Sequence, residues 1–158
     1  MASIFHCLEH RRRVVDVLIM PAAPICPYCD QPAALVRGKA IYPLSSKLAR
    51  RWFWKCSGTC DAYVGTHKGT KNPLGTLSDA RTRYLRHAAH EAFDPVWIRH
   101  ANREKMRFEA ARPYGYLWLS IQLGIDVEDC HIGLFDAATC ERVIEICEKF
   151  HMEAKEVA

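Results

Sequence analysis

Two close cysteine pairs carry the clearest chemistry in this chain: Cys26-Pro27-Tyr28-Cys29 and, 26 residues further on, Cys56-Ser57-Gly58-Thr59-Cys60. A tight turn between two such cysteines curls the backbone so that its N–H groups face the sulfurs and both thiolates aim at one point. Two turns supply four sulfurs, the number that tetrahedral zinc takes. An all-sulfur shell is closed to substrate, so the zinc would be structural. The second pair is one residue longer than a CxxC, and Gly58 gives it room to bulge. Thiolate sets of this type also hold iron–sulfur clusters, and without a metal the four would be buried free thiols.

A second constellation involves histidine. His87, His90 and Asp94 fall at i, i+3 and i+7, near one helix face, with His67 as a possible fourth group. Such a set could hold a catalytic metal, and a metal-dependent nuclease would follow. His67 could instead hydrogen-bond a thiolate of the knuckle, and His90 could be a buried structural histidine. Cys7 and His10 have half-site spacing without a second half, and adjacent Cys130 and His131 point apart. No nucleophile-elbow, P-loop or dinucleotide fingerprint occurs.

Charge points toward a polyanion. The net charge is only +4, but residues 37–107 hold 15 Lys/Arg against 5 Asp/Glu, while residues 108–158 hold 4 against 10. A basic middle beside an acidic tail suggests a surface for phosphate-rich partners. On a helical wheel Tyr84, Leu85, Ala88 and Ala92 gather on one side, and Arg83, Arg86, His87 and His90 gather opposite. Lys68 and Lys71 precede them. Arg50 and Arg51 adjoin Trp52 and Trp54, and aromatic rings stack bases. These residues are the candidate nucleic-acid contacts; a solvated helix face and a protein-binding face are the alternatives. Trp52 and Trp54 should face away from Phe53.

The elements that must position these groups follow from pattern and punctuation. Residues 14–20 read as a strand and not as a signal peptide, because the apolar run is short and Asp16 interrupts it. Residues 33–36 and 40–42 flank Arg37-Gly38-Lys39 as a hairpin, and residues 52–55 and 62–65 are further short strands. Thr76 or Ser78 caps a helix that Pro95 ends near Phe93. A helix over residues 96–111 follows, then one with Pro113 in its first turn and Gly124 as C-cap. Asp136 caps the last helix, over residues 137–150, whose stripe Cys140, Val143, Ile144, Cys147 and Phe150 is core. No apolar run is long enough to span a membrane. Eight cysteines, four of them in metal-type pairs, suit a reducing cytoplasm better than a disulfide framework.

The motifs also form an ordered string. Cys26-Pro-Tyr-Cys29, Ile41-Tyr42-Pro43, Phe53-Trp54-Lys55-Cys56 and Cys60-Asp-Ala-Tyr-Val-Gly65-Thr-His67 come first. Pro73-Leu74-Gly75, Phe93-Asp94-Pro95-Val96-Trp97, Tyr116-Leu-Trp118-Leu and Cys130-His131-Ile-Gly-Leu-Phe-Asp136 follow. Over residues 24–150 this resembles a phage and prophage family of zinc-finger-containing proteins with no assigned activity. The resemblance implies a zinc knuckle from Cys26, Cys29, Cys56 and Cys60, although the family's usual second pair is a CxxC. The expected fold is α+β. An N-terminal zinc ribbon, a small antiparallel sheet within residues 1–76, packs on a C-terminal bundle of about four helices, residues 77–158, as one compact unit. The expected function is non-enzymatic nucleic-acid binding in a host cytoplasm. An inhibitor or adaptor that binds a host protein is the alternative, and a metal-dependent nuclease comes third.

Overall fold

The computed structural model describes residues 22–156; the expected strand at residues 14–20 and the Cys7/His10 half-site lie outside them. Among the described residues, three strands form one antiparallel sheet in the order β1 (Ala33–Arg37), β2 (Trp52–Cys56), β3 (Tyr63–Gly65). Period-two alternation divides the side chains between two faces. Leu35, Trp54 and Val64 lie in register across the sheet. They share one face and a small core with the cysteines, Ala62 and Leu77. Phe53 faces the other way, in an aromatic cluster with Tyr42 and Tyr63 whose ring centroids lie 5.6 to 6.1 Å apart. The opposed orientation expected for Phe53 and the tryptophans is thus observed.

The expected local hairpin is not formed. Residues 38–40 make a 3₁₀ turn, and β1 pairs with β2 across residues 38–51. Residues 40–42 lead directly into Pro43, which has no N–H for a ladder. Tyr42 turns inward and its hydroxyl meets that of Tyr63 at 2.7 Å.

Three helices follow, not about four: α1 (Ala80–Arg103), α2 (Phe108–Leu123) and α3 (Ala137–Glu156). Asp79, one residue beyond the expected cap, accepts a 2.8 Å hydrogen bond from the Thr82 N–H. Pro95 does not end α1. It lies on the exposed side, where solvent can satisfy the carbonyl that its missing N–H leaves unpaired. Phe93, Val96, Trp97 and Ala101, on both sides of it, are buried in the helical core and hold the helix continuous. The break comes instead at Lys105, whose φ of 53° ends the helix, with the Met106 N–H returning to Ala101 O. Consequently α2 starts five residues before Pro113. Gly124 (φ 69°) caps α2 as expected, and Asp136 caps α3 through the Thr139 N–H.

The helical core joins Ala89, Phe93 and Trp97 of α1 to Leu119 of α2 and to Cys140, Val143 and Cys147 of α3. Gly115 permits the α1–α2 approach: a β-carbon there would sit 2.6 Å from Trp97 Cβ. Cys130, Cys140 and Cys147 are buried free thiols, each pushed up to between about 11 and about 12, chiefly by burial. Their apolar setting matches the inert, packing role expected for the last two.

Ribbon and helices meet along a continuous seam. Tyr63 and Ser78 exchange backbone hydrogen bonds of 3.1 and 3.2 Å just before α1. The Tyr28 hydroxyl, at the tip of the first knuckle, reaches Thr82 Oγ1 and the Asp79 N–H, each at 3.1 Å. At the far end Gly75 passes against Gly133 so closely that a β-carbon on Gly75 would overlap the Gly133 carbonyl.

Candidate metal centre and basic cleft

The two knuckles are built at one end of the sheet. Cys26 and Cys29 lie in the turn before β1, where the Cys26 N–H donates to Gln31 O and the Asp30 N–H returns to Cys26 O, both at 2.9 Å. Cys56 is the last residue of β2, paired with Ala33 of β1. The longer second turn aims the Gly58 N–H at Cys56 Sγ, 3.3 Å away, and the Ser57 hydroxyl donates to Pro32 O at 2.6 Å. The extra residue therefore leaves the sulfur geometry intact.

All four sulfurs lie within 4.8 Å of one another, with Cys29 and Cys56 at 3.4 Å. Thiolates about 2.3 Å from a tetrahedral zinc stand about 3.8 Å apart, so the cluster has the dimensions of such a site. Its ionisation chemistry also fits a cation. Burial raises the Cys56 thiol, but hydrogen bonds from Cys29 and the Gly58 N–H outweigh it and hold Cys56 below its ordinary value. Cys60 is pushed up to about 12 by Cys29 and by burial, and burial raises Cys26. Four thiols this close resist ionising together, and a bound divalent cation removes that resistance.

The chain matches, over residues 22–150, the family described as a zinc-finger-containing domain. It belongs to that family. No curated protein and no solved structure matches it. In this family member the described residues bring no second set of three or more His, Cys, Asp or Glu within reach of one ion. His87 points outward beside Glu91 at 3.4 Å, and Asp94 accepts from Trp97 Nε1 at 3.0 Å. His67 sits in an exposed turn across from His131, away from the cysteines. The spacing i, i+3, i+7 is correct for one helix face, but His87 and Asp94 are held by other partners and His90 lines the cleft instead.

The basic residues sort into two groups. At the end of the sheet remote from the cysteines, Arg37 pairs with Trp52 in the register and lays its guanidinium 3.8 Å over the Trp52 ring. Its Nη1 donates to Arg50 O at 2.9 Å, and Arg51 Nη2 donates to Thr66 O at 3.3 Å. Lys71 Nζ lies 5.7 Å from the same ring, Trp54 Nε1 donates to Lys71 O, and Lys68 is exposed in the same loop. At about 3.3 Å per strand residue this cluster lies roughly 13 Å from the metal end of β2.

The second group is Arg83, Arg86 and His90 on α1, and the wheel reading of it needs correction. That side of α1 faces the ribbon, not solvent, because α1 packs on both units. Arg83 stacks 3.7 Å over Tyr63 and donates to Ser78 O and to Asp61 O and Oδ2. Arg86 Nε donates to Phe135 O at 2.9 Å, Nη1 to Thr76 O at 2.9 Å and Nη2 to Thr76 Oγ1 at 2.7 Å. Both arginines fasten the ribbon to the helices. Tyr84, placed on the apolar side by the wheel, is instead 72% exposed. Between the units a cleft of about 860 Å³ opens, lined on the helical side by His90, Arg112 and His131. Arg112 and His131 were missed because no local motif links them to a basic run; only the folding of α2 onto α1 brings them there.

Proposed function

We propose that this protein is a zinc-stabilised, non-enzymatic nucleic-acid-binding module acting in the cytoplasm of a phage-infected host. The phage or prophage source rests on the motif resemblance alone. Zinc, held by Cys26, Cys29, Cys56 and Cys60, would cross-link both arms of the sheet and so fix the register that aligns the opposite end. The observation that carries the reading is at that opposite end: Arg37 and Lys71 lie against the Trp52 ring, with exposed Arg50 and Lys68 on the adjoining loops. Residues 22–76 hold eight Lys/Arg against two Asp/Glu, so little local charge opposes a polyanion. Guanidinium groups bind phosphate oxygens, and affinity arises from release of condensed counterions. Little sequence preference is expected, since no helix among the described residues presents a set of base-reading side chains.

The test is oligonucleotide binding across a salt series with Arg50→Glu/Lys68→Glu. Both side chains are exposed, so fold and zinc content stay unchanged. Each lost phosphate contact lowers the log–log salt slope by roughly one. A parent protein without salt-sensitive binding to single- or double-stranded DNA or RNA at low salt would sink the proposal.

One observation favours the host-protein reading as the second choice. Tyr114, Leu117 and Ile121 form a stripe on α2 and are 56%, 47% and 69% exposed. If Leu117→Lys/Ile121→Lys abolishes a nuclease-resistant complex with a host protein while oligonucleotides fail to bind, that reading replaces the first. Nothing among the described residues favours the nuclease reading, whose histidine–carboxylate set is not assembled.

A further inference from the structure

The cleft between ribbon and helices presents a charge imbalance that the seam contacts do not consume. Four arginines and three histidines line it, against one carboxylate, Glu128. Arg83 and Arg86 are committed to the seam, and Arg51 to Thr66 O. The remaining groups have donors to offer. The imidazoles of His67 and His90 make no protein hydrogen bond among the described residues, and Arg112 forms no ion pair there. His131 accepts the Gly133 N–H on Nδ1 at 3.2 Å, which puts its proton on Nε2. Its ring is fixed by stacking on Tyr116, with centroids 5.5 Å apart and planes at 11°.

These groups come from the loop after β3, from α1, from α2 and from the turn before α3, yet they sense one another. Burial, then Arg112 and His67, holds His131 below its ordinary value. Burial holds His90 down as well; Asp94 pulls it up, while Arg112, His131 and His87 oppose that pull. An anion bound among these imidazoles and the fixed Arg112 charge would accept their N–H donors and offset the local positive potential. The opposite wall is different: half-buried Tyr42 and exposed Leu74 line it, backed by the buried rings of Phe53 and Tyr63. One wall thus suits phosphate oxygens and the other a flat ring, within a volume in the range of small-molecule sites.

We propose that this cleft binds a nucleoside phosphate, its phosphate on His67, His90, His131 and Arg112 and its base against Tyr42 and Leu74. The ligand is either a free nucleotide or the phosphorylated terminal nucleotide of a strand. The inference goes beyond the ribbon-end surface and does not need it.

The test is calorimetric titration of the zinc-loaded protein with the four common nucleoside 5′-monophosphates, their nucleosides and inorganic phosphate. At least one nucleotide should bind about tenfold more tightly than both its nucleoside and inorganic phosphate. His67→Ala/Arg112→Gln, both exposed positions, should weaken it about tenfold or more, as should His90→Gln, with helical ellipticity and zinc content monitored. Arg50→Glu/Lys68→Glu should leave it unchanged, which separates this site from the ribbon end. A 5′-phosphorylated oligonucleotide that outcompetes the nucleotide, where its 5′-hydroxyl twin does not, identifies a strand end; equal competition by the twins identifies a free nucleotide. Three results overturn the proposal: no saturable binding up to about 1 mM nucleotide, equal binding of nucleoside and nucleotide, or full binding by well-folded cleft variants.

Discussion

Replacing Arg86 by Met removes three donors while keeping most of the apolar stem. The guanidinium spans two segments distant in sequence, Thr76 at the end of the ribbon and Phe135 before α3, through bonds of 2.7 to 2.9 Å. Hydrogen bonds from a charged donor contribute about 1.5–3 kcal/mol each. Burial opposes them, since it is the main reason this guanidinium sits below its ordinary value. Against three such bonds and two carbonyls left unpaired, a net loss of about 3 kcal/mol is reasonable. For a chain of this size each kcal/mol moves the melting temperature by about 2–4 °C, so Arg86→Met should melt about 6–12 °C lower. Arg86→Lys keeps the charge but cannot span both segments with one ammonium group, and should fall between. The assay is thermal denaturation of zinc-loaded protein followed at 222 nm, with Arg50→Met as an exposed control that stays near the parent. An Arg86→Met variant that also melts within about 2 °C of the parent would refute the seam role and restore Arg86 as a free surface cation.

Gly115→Ala should lower the melting temperature although alanine favours helix by about 1 kcal/mol. The new methyl meets Trp97 Cβ at 2.6 Å, an atom fixed to the α1 backbone, so the helices must separate; calorimetry of the two proteins decides. Metal analysis should give one zinc per chain, and stripping it should collapse the amide resonances of β1 to β3 while helical ellipticity largely persists, because the helical core contains none of the four cysteines. His90 is held neutral in the fold, so its contribution is full above its unfolded value near pH 6.5 and is lost as pH falls through the lower folded value. Between about pH 7.5 and 5.5 the parent should therefore lose more melting temperature than His90→Gln; equal losses would show that the imidazole is freely solvated.

The four-cysteine cluster was legible because its information is local. Two short cysteine turns dictate sulfur direction by themselves, and the structure needed only to bring β1 and β2 together to place Cys26, Cys29, Cys56 and Cys60 within 4.8 Å. Gly124 and Asp136 were legible as caps for the same reason: each satisfies neighbouring backbone groups. Where long-range packing competes with local preference, the sequence alone misleads. Pro95 reads as a helix end, yet buried Phe93, Val96 and Trp97 carry α1 through it. Arg83 and Arg86 read as a free basic face on a wheel that assumes one buried side, yet α1 is covered on a second side by the ribbon. His67, His90, Arg112 and His131 lie far apart in the chain, and no spacing rule links them. The amino-acid order determined which groups could ionise, cap or bind metal; only the closing of the ribbon onto α1 decided which of those groups face one another, because a cleft is made by surfaces meeting and not by residues in sequence.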